Sequence, residues 1–95
     1  MPTVGVLTLE MRFENSHSLK DKRHHVQGLK QRLRNKFNVA VAEIDCQDVW
    51  QRAVVAAVTV SGDHARAALV LQSVEKEAAG FLGGELVGTA VEWLE

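Results

Sequence analysis

Seven of the chain's eleven Lys and Arg residues lie between Lys20 and Lys36, with Asp21 the single acid among them. Cations at this density suit a polyanion: Arg offers bidentate bonds to phosphate and Lys a point charge. Lys20, Lys22, Arg23, Lys30, Arg34 and Lys36 are therefore the candidate phosphate contacts. His17 and Ser18 precede the run, where the N-terminus of a helix could bind an anion. A second polar cluster, Asp45, Gln47, Asp48, Trp50 and Arg52, has the make-up of a recognition loop, several polar groups around one aromatic.

Other chemistries find little support. His24 and His25 are adjacent and would point about 100° apart on a helix, and Cys46 has no second thiol near it, so neither a metal site nor a nucleophile is expected. Gly80-Phe81-Leu82-Gly83 has the G-x-x-G spacing of a phosphate-clamping loop but no basic neighbours. An enzyme acting on a phosphorylated metabolite near Arg12, Asn15 and His17 is a distant third reading, since the same segment carries Glu14, which repels phosphate. No cofactor is expected, and a non-enzymatic role is favoured.

The elements that carry these residues follow from periodicity. Val4–Phe13 alternates as a strand. Ser18 is placed to cap a helix running toward Asn38, with Asp21 at the reciprocal capping position and Leu19, Val26, Leu29, Leu33 and Phe37 on one stripe. On that helix Lys20, Arg23, Lys30 and Arg34 flank the stripe on one side, and His25, Arg32 and Lys36 on the other. Gly28 lies off the stripe. Val39–Asp45 and Val49–Val60 form a hairpin turning at Cys46–Asp48. Ser61 or Asp63 caps a second helix with Ala65, Ala68, Leu69, Leu71, Val74 and Ala78 as its apolar positions, broken by Gly80, Gly83 and Gly84, and Glu85–Leu94 forms a last strand.

The order β-α-β-β-α-β predicts an α+β fold over residues 1–95: a ferredoxin-like domain, a four-stranded antiparallel sheet with both helices on one face. Such a sheet leaves its other face uncovered. The third and fourth strands are apolar on both faces, so a second copy of the chain is the expected cover and a homodimer the expected state. A platform for stacked RNA bases is excluded, since the central strands carry only Phe13 at an end and Trp50 at a start.

Net charge is −1, but nine basic and six acidic residues precede Ala53 while two and six follow. One basic face, rather than the whole surface, is thus available to nucleic acid. The apolar run Ala53–Val60 is too short to span a bilayer. With one cysteine and an N-terminal segment that alternates like a strand, the expected compartment is the cytoplasm.

Three segments, Ser-His-Ser-Leu-Lys-Asp-Lys-Arg (16–23), Leu-Arg-Asn-Lys-Phe-Asn-Val-Ala-Val-Ala-Glu (33–43) and Gln-Asp-Val-Trp-Gln-Arg-Ala (47–53), together resemble the YlxP-like family of small bacterial proteins, a domain of unknown function. The resemblance weakens after Gly62, and it departs at His24-His25, where relatives commonly carry a basic or aliphatic pair. It implies a ferredoxin-like fold and, from the translation genes that often neighbour its members, a connection with RNA or the ribosome. No catalytic residues come with it. The leading expectation is a module that docks its first helix on structured RNA or a ribosomal subunit. The rival is a homodimeric protein-interaction module using the uncovered sheet face and the 45–52 hairpin.

Overall fold

The computed structural model describes residues 1–94. The chain runs β1 (Thr3–Arg12), α1 (Leu19–Lys36), β2 (Ala40–Asp45), β3 (Arg52–Ser61), α2 (His64–Leu82), a 3-10 turn over Gly83–Glu85 and β4 (Leu86–Leu94). The strands form one antiparallel sheet in the order β2-β3-β1-β4, and both helices pack on one face. This is the expected ferredoxin-like arrangement.

Alternation decides which side of each strand is buried. Leu7, Leu9 and Met11 of β1 face the helices, opposite Ala57, Val55 and Ala53 of β3. Val26, Leu29 and Leu33 of α1, and Ala67, Leu71, Val74, Ala78 and Leu82 of α2, close the core from above. Burial of these aliphatic side chains, each worth about 1.5–3 kcal/mol, holds the helices on the sheet.

Both helix starts use the expected caps. Ser18 Oγ accepts from the Asp21 N–H at 3.1 Å, and Asp63 Oδ1 from the Ala65 N–H at 3.1 Å. Two boundaries and one helix face differ from expectation. The third strand begins at Arg52, so Val49 and Trp50 lie in the connection despite their preference for strands. Gly80 does not end α2. The helix continues to Leu82, which is buried, and stops where Gly83 adopts φ +58°, a conformation open to glycine at no steric cost. The inward stripe of α2 also runs through Ala67 and Leu82 rather than Ala65 and Leu69, and Leu69 is mostly exposed.

Gly5 of β1 has a packing role. A Cβ there would lie 2.6 Å from Trp93 Cζ3 and 2.7 Å from Leu71 Cδ1. Trp93 of β4 thus lies across Gly5, against the His64 ring, and fastens the end of the last strand to the core.

Candidate nucleic-acid interface and the lysine under the hairpin

The cations of α1 divide into three groups. Lys22 points inward and is fully buried. Its ammonium donates to the carbonyls of Cys46 at 2.6 Å, Gln47 at 3.1 Å and Arg52 at 3.2 Å. An ammonium has three N–H groups, and these three carbonyls use them all. Glu43 Oε2 stands 2.9 Å from the same nitrogen as an ion pair without hydrogen-bond geometry, which leaves that buried oxygen with no N–H partner. The expectation that Lys22 contacts phosphate is therefore corrected, because its charge is enclosed and already matched. Its position carried the signal: Lys22 lies four residues before Val26 and seven before Leu29, on the buried stripe.

The second group faces α2. Arg32 Nε and Lys36 Nζ donate to the two oxygens of Glu77 at 2.6 and 2.7 Å, and the Arg32 guanidinium lies 5.3 Å from the Phe81 ring centre. The hydrogen bonds from Lys36 and then Arg32 hold the Glu77 carboxyl below its ordinary value of 4.5. Lys36 therefore does not join the other candidate contacts. It lies on the flank paired with Glu77. Gly28 is on this side as well, and a Cβ there would meet Phe81 at 3.5 Å, so it sits at the contact between the helices.

The third group is the remaining flank. Lys20, Arg23 and Lys30 make no ion pair or hydrogen bond among the described residues, and Lys20 and Arg23 are exposed. Arg34 Nη2 donates to the Val41 carbonyl of β2 at 2.7 Å while the residue stays exposed. Lys20, Arg23 and Lys30, with His24 and Gln27, border an open groove of about 760 Å³ that also holds Asp21, Glu43 and Glu85.

The expected anion site at the helix start is already occupied by the protein. Ser18 Oγ is engaged by the Asp21 N–H, and the His17 N–H donates to Asp21 Oδ2 at 3.4 Å. The Asp21 carboxylate complements the helix dipole and opposes a second anion, so His17 and Ser18 do not form a free anion cradle. Arg12 and Asn15 do border one concavity, but Glu14 and Glu85 share it, and His17 does not.

The hairpin residues do come together. Cys46 takes φ +60°, its N–H donates to Asp45 Oδ1 at 2.8 Å, and its carbonyl accepts from the Val49 N–H as well as from Lys22. Gln47 donates to the Glu43 carbonyl at 3.4 Å, Asp48 is exposed and Arg52 stands opposite Arg12 across β1 and β3. The Phe13 N–H donates to the Gln51 carbonyl at 2.8 Å, closing the loop against the end of β1. Trp50, Val49 and Ile44 are left about half exposed at its surface. The loop is thus fixed from beneath by one ammonium while its apolar side chains face water.

Residues 4–91 match the family described as "Protein of unknown function (DUF503)". The chain belongs to the DUF503 family. It is 33% identical over 90 residues to the "Uncharacterized protein YlxP" of Bacillus subtilis (strain 168), a match covering 95% of this chain and 98% of that one. Among solved structures it is similar to the de novo designed protein Foldit4, with TM-score 0.61 and 10% identity over 100% of this chain and 98% of that chain. It is also similar to a dimeric ferredoxin-like protein of unknown function from Thermobifida fusca YX, with TM-score 0.52 and 15% identity over 98% of this chain and 90% of that one. At these identities the structural likeness shows the fold alone. The YlxP-like resemblance carried by the three sequence segments is borne out, and so is the ferredoxin-like fold. Among the described residues of this DUF503 chain, no helix is long and apolar enough to cross a membrane.

Proposed function

We propose that this DUF503 protein is a non-enzymatic module that binds structured RNA or a ribosomal subunit through the flank of α1 carrying Lys20, Arg23, Lys30 and Arg34. One observation carries the reading. On a helix with cations on both sides, Glu77 of α2 pairs with Arg32 and Lys36 on one side, while Lys20, Arg23 and Lys30 on the other make no ion pair among the described residues. Like charges three and four residues apart repel by a few tenths of a kcal/mol per pair, so the row costs stability unless a partner supplies negative charge. Phosphate groups along an RNA backbone supply it, and Lys and Arg in a row contact them without reading sequence. Four such contacts imply that affinity falls about a hundredfold between about 50 and 200 mM salt. The test is the affinity of a structured ribosomal RNA fragment for the wild type and for Arg23→Glu with Lys30→Glu. The double variant is expected to lose binding while melting as the wild type does, and unchanged affinity would refute the reading.

A second reading, a protein-interaction module, rests on the hairpin, where Lys22 fixes the backbone and Trp50, Val49 and Ile44 stay exposed. An aromatic on a rigid loop is a common anchor for a protein partner. Association that ignores salt and is lost with Trp50→Ala would favour this reading over RNA.

A further inference from the structure

The two edges of the sheet are built differently. At one edge, β2 is six residues long, carries Glu43 and Asp45, is irregular between them, and has its Val41 carbonyl taken by Arg34. Charges, short length and bulges are how proteins keep an edge from pairing with another chain. At the other edge, β4 is nine residues long with Glu92 as its one charge, and from Gly88 onward its pairing with β1 is regular. None of the four protections stands along Gly88–Leu94 other than that single carboxylate.

The middle of β4 is also uncovered on its faces. Val91 lies opposite the fully buried Leu7 on the helix side of the sheet, yet it is 46% exposed because the helices do not reach over it. Thr89 on the same side and Ala90 and Leu94 on the other are exposed as well. A strand open at its edge, exposed on both faces over Thr89–Glu92 and carrying one charge is a pairing template.

We propose that β4 pairs antiparallel with β4 of a second copy of this chain, joining two sheets into one of eight strands. The occupant follows from self-complementarity: a twofold axis through the strand needs no other segment and forms a closed pair. With the axis at Ala90, Val91 of each copy meets Thr89 of the other, and Glu92 meets Gly88, so no carboxylate faces another. The protected β2 edge stops growth at two chains. Covering the open face instead, as the sequence suggested, would bury Glu10 and Glu92, which make no ion pair among the described residues. Edge pairing leaves both in water. The inference is independent of RNA binding.

The test is sedimentation velocity of the full chain over a range of concentrations, for the wild type, for Thr89→Lys with Val91→Lys, and for Val60→Lys on the open face. A wild-type dimer is expected. The β4 double variant should raise its dissociation constant by about tenfold or more, because each change is felt twice across the axis. Val60→Lys should leave it unchanged. Amide exchange on the wild type gives a reading free of folding defects, with β4 amides expected to lose protection on dilution while β2 amides do not. A monomer at every concentration overturns the proposal. So does a dimer that survives the β4 changes and is lost with Val60→Lys.

Discussion

On the α2 side of α1, Arg32 and Lys36 close on Glu77, whereas on the other side Lys20, Arg23 and Lys30 form no ion pair among the described residues. The residue types are the same and the helix is the same. What differs is whether the neighbouring element brings a carboxylate: α2 brings Glu77, while β2 spends Glu43 on Lys22. A count of positive charge along the sequence therefore overstates the interface. Only those cations that the fold leaves unmatched can recruit a partner, and the inward-facing Lys22 is a structural strut.

The largest effect that separates these roles is in stability. Lys22→Ala should cost about 3–5 kcal/mol, since it empties a fully buried position and leaves three carbonyls and the Glu43 carboxylate without their cation. Denaturant unfolding measures this, and a cost comparable to that of Lys30→Ala would erase the distinction. Next comes a contrast at equal charge. Arg23→Gln with Lys30→Gln should weaken RNA binding about tenfold at moderate salt, while Arg32→Gln with Lys36→Gln should change it by less than about twofold. Titrations side by side check this, and equal losses would show that the two flanks act alike.

Glu77→Gln sharpens the comparison from the other direction. Freeing Arg32 and Lys36 should strengthen RNA binding by a few-fold at most, and the same variant should show a shallower acid limb in its stability. The carboxyl is held below 4.5 when folded, so its contribution is present above that value and is lost as pH falls through the folded pKa. Melting temperatures across the acid range would show it. The smallest effect belongs to Cys46→Gly, which should raise stability by up to about 1 kcal/mol by relieving the left-handed conformation at φ +60°.

Most of the fold was legible because it rests on local signals. Ser18 with Asp21 and Asp63 with its following helix are caps with one physical meaning, and the alternation in β1 sorts core from surface without ambiguity. The site was less legible because it depends on what lies across space. Nothing in the spacing of Arg32 and Lys36 announces Glu77, more than forty residues later. Lys22 was legible in principle from its place on the apolar stripe, but a charged residue there reads as surface until three carbonyls are seen to surround it. The start of β3 failed for the same reason. Val49 and Trp50 favour strands, yet the nest around the ammonium turns the backbone of Cys46 and Gln47 toward Lys22 and postpones pairing to Arg52. Gly80 misled because a glycine costs a helix only about 1 kcal/mol, less than the burial of Leu82 returns.

The unmatched flank is tested most directly by co-sedimentation of the purified protein with ribosomal subunits, and with their free RNA, at two salt concentrations. Binding is expected at low salt and should fall about a hundredfold between about 50 and 200 mM. Absence of binding at low salt, or binding indifferent to salt, would contradict this and return Lys20, Arg23 and Lys30 to the role of a solvated surface.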